Sequence, residues 1–352
     1  MKLASIVVVT SLLVAPVAGR AANLSKVYGA ALGGDMVRAL AILDSIDVSQ
    51  LSAKDSTARA CLKRTFGNPP AAENLPAQSG RILTAYRTYW QAAMLRRATR
   101  VDAERDLLRE LRSILAIAPT DTAGLDDVSE RARLAIGKEG LFALTGVTLP
   151  YYELMIWRTR EPTTYHVKLP ERTIEVNVVF LDDFVSLGWA GYATCGRAHS
   201  GGWATQDSLF ALKSSYDLGS ENFRVSYLAH EGRHFSDYSR YPKLEQPELE
   251  YRAKLTELAM SDTTTYSLIA SFSALTGQDR DVPHSFANYW VARDMSRMVL
   301  GKDQLVGDPA AWRSVPADRI RKGARRALQE NDQKLKKLGA STVAQFLASS
   351  AN

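Results

Sequence analysis

Histidine and cysteine are scarce in this chain of 352 residues, which contains five histidines and two cysteines. Neither cysteine has ligand spacing to another one, which excludes a metal site built from closely spaced cysteines. In an oxidising compartment Cys61 and Cys195 permit one disulfide. They fall far apart in the sequence and in different predicted domains, so a bridge and two buried thiols stay equally good interpretations.

Long apolar runs are missing after the N-terminus. The run over residues 3–17 is too short for a transmembrane helix. Lys2 precedes it and small residues follow it, which predicts a secretory signal peptide over residues 1–21. No cysteine follows, so a bacterial lipid anchor is not expected. We expect a periplasmic or secreted protein without a membrane span.

Charge of one sign is not in large excess. The net charge is +6, with 46% hydrophobic and 23% charged residues, which is ordinary globular usage. Basic residues concentrate near the C-terminus, but acidic residues interleave with them at helical spacing, which indicates a solvated helix face. The sequence has no interleaving of aromatic and basic residues, so a nucleic-acid partner is not expected. The oligomeric state cannot be read from the sequence.

Two of the five histidines, His230 and His234, are four residues apart with Glu231 between them. On a helix they lie on one face, one turn apart, where one metal ion can take both imidazoles. Glu231 then projects beside the metal, where a bound water would be. This HExxH pattern is typical of zinc hydrolases, with two ligands and a general base on one helix. With so few histidines, roughly one such sequence in a few hundred would contain it by accident.

The residues around the motif predict a helix over about 221–240. Ser220 is a suitable N-cap, and the helix should end before Pro242. Gly232 weakens a helix by about 1 kcal/mol relative to alanine, which suggests that a neighbouring strand or a substrate approaches the backbone there. A second helix over about 247–275 follows, with Pro247 in its first turn.

In this arrangement the chain resembles the gluzincins, HExxH metallopeptidases whose third ligand is a glutamate on a following helix. Several of those families have this ligand in a Glu-x-x-Ala pattern, which Glu250 and Ala253 match. The resemblance therefore implies His230, His234 and Glu250 as metal ligands. Thermolysin-like members have an aspartate four residues after the ligand, where this chain has Lys254.

Two other glutamates stay open as ligands. Glu257 lies two turns after Glu250 on the same helix face, and is either a partner that orients a histidine or the true ligand. Glu248 is a weaker third choice. Each of these carboxylates also has a simpler interpretation as a solvated charge near the start of a helix.

The predicted fold class is α+β and mostly helical. Residues 22–149 are predicted as a helical N-terminal domain and residues 150–352 as a zincin-like domain. Period-two patterns indicate a small sheet over about 163–213, including short strands over 189–194, 202–205 and 209–213. The metal helix, the glutamate helix and further C-terminal helices follow. By the resemblance, the sheet edge that binds an extended peptide is assigned to Gly202, Trp203 and Ala204, although an ordinary glycine-rich turn explains them equally well.

The resemblance implies one Zn²⁺ per chain, a zinc-activated water, Glu231 as general base, and a peptide or protein substrate. A further donor is needed for the oxyanion, and Tyr241, His284 and Tyr251 are the candidates. Two alternatives stay open. One is an inactive zincin-like protein for envelope binding or assembly, which the retained Glu231 argues against. The other is a zinc hydrolase of non-peptide amides.

Overall fold

A computed structural model describes residues 22–67, 74–205 and 208–348 of the chain. It confirms a mostly helical α+β fold, with thirteen α-helices and one five-stranded sheet among the described residues. The predicted signal peptide, residues 1–21, lies outside them. Within the described ranges, no helix combines the length and apolar character that crossing a membrane requires.

The elements follow the chain in three groups. The N-terminal group is helical: α1 (Ala22–Leu32), α2 (Met36–Asp44), α3 (Ala53–Gly67), α4 (Ala77–Met94), α5 (Arg100–Ile114) and α6 (Leu125–Lys138). The middle group forms the sheet: β1 (Phe142–Thr148), β2 (Tyr151–Lys168), β3 (Thr173–Leu187), α7 (Gly188–Thr194), β4 (Gly202–Ala204) and β5 (Leu209–Leu212). The last group is helical again: α8 (His230–Arg240), α9 (Gln246–Met260), α10 (Thr265–Ala274), α11 (Pro283–Met295), α12 (Pro309–Arg313) and α13 (Ala317–Leu338). A π-helical segment, Asn222–Ala229, leads directly into α8.

The chain divides into two compact units. The N-terminal unit contains residues up to 161, 180–203 and 210–213; the C-terminal unit contains residues 162–179, 204–209 and those from 214 onward. The sheet has the strand order β1-β2-β3-β5-β4. Strands β1 and β2 are antiparallel, with Phe142 opposite Trp157.

The core of the N-terminal unit is built on α4. Its buried side chains recur every three or four residues, as expected for one helix face: Ile82, Leu83, Tyr86, Tyr89, Trp90 and Met94. Tyr86 donates a hydrogen bond to Ser129 at 2.9 Å, and the Trp90 indole donates to the Tyr152 carbonyl at 2.8 Å. The aromatic residues of this helix are therefore core residues.

Cys61 and Cys195 both lie in the N-terminal unit, where they form a disulfide with their Cα atoms 6.3 Å apart. Of the two open interpretations, the structure selects the bridge. The placement of the two cysteines in different domains was wrong.

The sheet begins earlier than the sequence predicts. Strand β1 occupies residues 142–148, inside the stretch predicted as helical through 149. Only three residues separate it from α6, and its sequence has no clear alternation of apolar and polar positions. The strand forms because it pairs along its whole length with β2, a contact that no local pattern reveals.

Residues 189–194 were predicted as a strand, but they belong to helix α7. The buried carboxylate of Glu153 accepts the amide hydrogen of Trp189 at 2.9 Å, at the start of this helix. A carboxylate stabilises the unpaired amides and the positive dipole of a helix N-terminus. Because Glu153 lies 36 residues away in the sequence, the local pattern could not indicate the helix.

The predicted helix over 247–275 is two helices, α9 and α10, separated by residues 261–264. The backbone amides of Asp262, Thr263 and Thr264 donate to the carboxylate of Glu221. This anion satisfies amides at the start of α10, so the chain can turn there. Helix α9 packs against α8, α11 and α13 and is buried on nearly every face.

Candidate metal centre

Local contacts explain how the motif helix forms and where it lies. The Ser220 hydroxyl accepts the Phe223 amide hydrogen at 3.1 Å, which satisfies an unpaired donor at the helix start. A Cβ atom at Gly232 would lie 3.2 Å from Ile174 and 3.5 Å from Val167. The glycine therefore serves close packing against strands β2 and β3, the first of the two explanations that the sequence left open.

Three residues with potential ligand atoms, His230, His234 and Glu250, meet where α8 lies against α9. The Nε2 atoms of His230 and His234 are 3.2 Å apart. Glu250 Oε2 lies 3.6 Å from His230 Nε2, and Glu250 Oε1 lies 3.4 Å from His234 Nε2. All three residues are buried, and among the described residues they form a group able to hold a metal ion.

These separations fit a tetrahedral zinc ion. Zn–N and Zn–O bonds of ~2.0–2.1 Å place neighbouring ligand atoms ~3.3 Å apart. The three observed distances, 3.2, 3.4 and 3.6 Å, lie close to that value. With these three residues as ligands, a zinc ion would keep a fourth position for water or substrate, as catalytic zinc sites do.

Glu257 occupies the other role that the sequence left open. Its Oε1 lies 2.7 Å from Nδ1 of His230, so it bonds the ring nitrogen that faces away from the ligand group. Such a carboxylate fixes the tautomer and orientation of a ligating histidine. Glu248 lies elsewhere: it pairs with Arg280 at 2.8 Å and accepts the amides of Phe346 and Leu347.

The charges of this centre are strongly coupled. Burial lowers the pKa of His230, but the carboxylates of Glu250 and Glu257 outweigh it and raise the pKa to about 10. Burial raises the pKa of Glu250, but the facing histidines outweigh it and hold the pKa well below its usual range. The buried carboxylates therefore favour positive charge at this point, which a proton or a metal ion can supply.

Glu231 is buried beside the ligand group, and its Oε2 atom has no hydrogen-bond partner among the described residues. A buried carboxylate oxygen without a partner is costly, so it calls for a functional explanation. Nδ1 of His234 is unpaired in the same way, and the His234 ring lies against the Tyr238 ring with centroids 6.2 Å apart.

The three predicted oxyanion donors have different surroundings. His284 is 45% exposed, and its Nδ1 lies 2.8 Å from Glu250 Oε2 without the alignment of a hydrogen bond. The hydroxyl of Tyr241 donates to Asp332 and accepts from Arg240, which engages it within a salt-bridge cluster, and its role as an oxyanion donor stays a prediction. Tyr251 likewise donates to Asp294 at 2.7 Å.

A buried ionic network joins α8 to α9, and the sequence analysis missed it. Arg252 of α9 forms two hydrogen bonds to Asp237 of α8, at 2.6 and 3.0 Å. Arg233 donates to Glu171, in the turn between β2 and β3, and to Thr256 of α9 at 2.8 Å. Both arginines are fully buried. The sequence around Arg252 does not distinguish it from a surface arginine, because α9 is buried on nearly every face and has no contrast between a polar and an apolar face.

The proposed substrate strand is at the edge of the sheet, since β4 ends the strand order. A Cβ atom at Gly202 would overlap the carbonyl oxygen of Phe210, so pairing with β5 requires this glycine. The Trp203 ring stacks on Phe210 at 5.2 Å and meets Trp157 edge-on at 5.9 Å. Packing within the sheet therefore explains Gly202 and Trp203, while a substrate role for Ala204 and its neighbours stays a prediction.

Comparisons with protein-family models, with curated proteins and with solved structures give no match. The assignment of a function therefore depends on the geometry and chemistry of the centre itself.

Proposed function

We propose that this protein is a zinc-dependent metallopeptidase of the HExxH type. His230, His234 and Glu250 hold one Zn²⁺ per chain, and Glu231 is the general base. The observation that carries the proposal is the triangle of buried residues His230, His234 and Glu250. The two Nε2 atoms are 3.2 Å apart, and each has its own Glu250 oxygen at 3.4 or 3.6 Å, close to the ligand spacing of tetrahedral zinc.

The surroundings of the triangle favour a catalytic site over a structural one. Structural zinc has four protein ligands as a rule, whereas three protein ligands and an open position are typical of catalytic zinc. Glu231 is not part of the triangle, yet it is buried next to the first ligand with an unpaired oxygen. A structural metal ion needs no such base.

Each residue then has a defined task. Bound zinc supplies a water of lowered pKa and polarises a carbonyl. Glu231 accepts the proton of that water and delivers it to the leaving amine. Glu257 Oε1 lies 2.7 Å from Nδ1 of His230 and holds the ring so that Nε2 faces His234 and Glu250. Asp237 and Arg252 hold α8 against α9, and thereby the histidines against Glu250.

The test combines metal analysis with hydrolysis. Purified protein should contain about one zinc per chain by elemental analysis, and should cleave casein or members of a peptide library until phenanthroline removes the metal. Glu231→Gln should keep the zinc and lose at least ~100-fold of the turnover. Glu175→Gln, which changes an exposed carboxylate on β3, is the matched control and should leave both unchanged.

Three outcomes separate the alternatives. Absence of transition metal under saturating zinc would overturn the proposal. Bound zinc without hydrolysis of any amide would favour a binding protein. Hydrolysis of non-peptide amides alone, with all peptides intact, would move the activity to the second class of substrate.

A further inference from the structure

The proposed reaction needs a hydrogen-bond donor for the oxygen that gains negative charge, and two of the three donors predicted from sequence are engaged elsewhere. The hydroxyl groups of Tyr241 and Tyr251 bond Asp332 and Asp294. The remaining one, His284, contacts the ligand Glu250. A donor from another residue, which no sequence motif marks, would complete the site, and its role rests on the proposed function.

Tyr227 is 93% buried, and its hydroxyl has no hydrogen-bond partner among the described residues. A buried hydroxyl without a partner destabilises the folded chain, and buried tyrosines usually find one. The unpaired Oε2 atom of Glu231 is the second such group on the same helix. Two unsatisfied polar groups on the helical segment that carries the proposed histidine ligands are available to bond a polar molecule.

The position of Tyr227 relative to Glu231 follows from the helix. The two residues are four apart on one uninterrupted helical segment, so their side chains share a face. Tyr227 lies in the π-helical part, a rare conformation that occurs often at functional sites. Burial raises the pKa of Tyr227, and the nearby Glu231 charge raises it further, so the hydroxyl keeps its proton at neutral pH.

Aromatic neighbours hold the Tyr227 ring. The Tyr216 ring lies 4.6 Å away between centroids, and the Phe223 ring stacks on it at 5.6 Å. A ring clamped on two sides presents its hydroxyl in one direction without loss of rotamer freedom on binding. Tyr216 and Tyr238 also lie close to Glu231, and Tyr238 differs from Tyr227 because its hydroxyl is already bonded to Gln246.

We infer that the Tyr227 hydroxyl donates a hydrogen bond to the carbonyl oxygen of the scissile amide as water adds to its carbon. In this step a carbon–oxygen bond forms between water and the carbonyl carbon, and the carbonyl π electrons move to the oxygen. Glu231 receives the proton that water loses. The donor is aimed at charge that exists only after addition, so it contributes to turnover more than to substrate binding.

The experiment measures binding of a transition-state analogue, so it does not depend on turnover. A phosphonamidate peptide carries a tetrahedral, negatively charged centre in place of the amide. Its affinity for zinc-loaded protein would be measured by calorimetry for the wild type and for Tyr227→Phe. A hydrogen bond to a charged oxygen corresponds to about a 10- to 150-fold change in affinity. We expect a loss in that range, with zinc affinity unchanged.

The melting temperature separates this role from a structural one. Removal of an unpaired buried hydroxyl should leave the melting temperature of the zinc-free protein unchanged or higher, whereas removal of a structural hydrogen bond would lower it. Tyr28→Phe is the matched control, because the Tyr28 hydroxyl is also buried without a partner but lies in the N-terminal unit. It should not alter phosphonamidate affinity.

Each result has one meaning. If Tyr227→Phe binds the phosphonamidate as tightly as the wild type does, the role of Tyr227 is overturned and the proposed function still stands. A loss with Tyr238→Phe in its place would assign the donor to Tyr238 and also overturn the inference. Failure of the zinc-loaded wild type to bind the analogue would count against the proposed function, and the inference would fall with it.

Discussion

Single residues were predictable where the chemistry is local. His230, Glu231 and His234 follow from spacing on one helix, and the structure brings the two imidazoles within 3.2 Å. The choice between Glu250 and Glu257 was not predictable, because both lie on one face of α9. Only the register between α8 and α9 decides which glutamate faces both histidines, and residues far apart in the sequence fix that register.

The zinc affinities of alanine variants should distinguish the roles of Glu250 and Glu257. Glu250→Ala removes a proposed ligand, so zinc binding should collapse, whereas Glu257→Ala removes only the partner of His230 and should weaken affinity by ~10–100-fold. Competition titration with a zinc-binding dye would give both constants, with the exposed Glu175→Ala as control. Loss of zinc in Glu257→Ala together with retention in Glu250→Ala would invert the ligand assignment.

Glu153 should make stability depend on pH. Burial raises its pKa from 4.5 to about 7, although hydrogen bonds from Trp189 and Leu154 act in the opposite direction. Below pH 4.5 the carboxyl is protonated in both the folded and unfolded states. Between pH 4.5 and about 7 the unfolded state loses this proton while the folded state keeps it, so the free energy of unfolding falls as the pH rises. Above pH 7 the folded state must bury a charge that the unfolded state hydrates, and the loss is complete. The interval between the two pKa values corresponds to on the order of 3 kcal/mol.

Glu153→Gln would test this origin of the pH dependence. The amide keeps an acceptor for Trp189 and cannot ionise, so urea unfolding should show a flatter profile between pH 4.5 and 8. The variant should exceed the wild type in stability at pH 8. A wild-type profile that persists unchanged in the variant would assign the dependence to other groups.

At the scale of elements, long helices with periodic apolar positions were predicted and elements that depend on distant partners were not. Helix α4 shows its buried stripe in the sequence. Helix α7 depends on the Glu153 carboxylate, and the break before α10 depends on Glu221. Strand β1 depends on pairing with β2. In each of these three cases the deciding contact is remote in the sequence.

The contact between α8 and α9 should depend on the pair of Asp237 and Arg252. Asp237→Ala removes the contact of 2.6 Å between Asp237 and the fully buried Arg252 but leaves Asp332 at 2.8 Å from the guanidinium, so the cost should be up to about 3–5 kcal/mol, the range for breaking a buried pair. Denaturant unfolding would measure this loss. Arg326→Ala, in an exposed pair with Glu330, is the control and should cost less than about 1 kcal/mol.

The pair of Asp237 and Arg252 also affects the geometry of the candidate metal centre. Because Asp237 is three residues after His234 and Arg252 is two residues after Glu250, their pairing sets the distance between ligands on the two helices. Asp237→Asn keeps the shape and one acceptor, so it should retain more zinc affinity than Asp237→Ala. Equal affinities of both variants and the wild type would show that packing alone holds the helices.

At the scale of the whole molecule, composition and hydrophobic periodicity predicted the fold class but not the division of the chain into two compact units. The sequence placed a boundary near residue 150, whereas the long strands β2 and β3 contribute residues to both units. No composition shift marks a boundary that passes through a strand. Export is a prediction of the sequence alone, since residues 1–21 lie outside the described ranges.

The disulfide is the feature at this scale that the sequence left most open. Whether two cysteines 134 residues apart can bond depends on the distance between their Cα atoms, which only the fold sets. The observed 6.3 Å lies within the range for disulfides. The bridge joins α3 to the residue that caps the C-terminus of α7, the helix that follows β3, within the N-terminal unit.

Removal of this bridge should destabilise the N-terminal unit. A closed loop of this length restricts the unfolded chain strongly, and loss of a native disulfide costs about 2–5 kcal/mol. The double variant Cys61→Ser, Cys195→Ser retains small polar side chains near Thr65, whose hydroxyl lies within 3.9 Å of both sulfur atoms. The free energies of unfolding of this variant and of the oxidised wild type, measured with denaturant, should differ by that amount. Treatment with dithiothreitol should lower the stability of the wild type to that of the variant. The proposed zinc ligands all lie in the C-terminal unit, so zinc affinity should be equal in the three samples. Equal unfolding curves with and without the bridge would contradict the stabilising role, because the chain would then gain nothing from closing the loop.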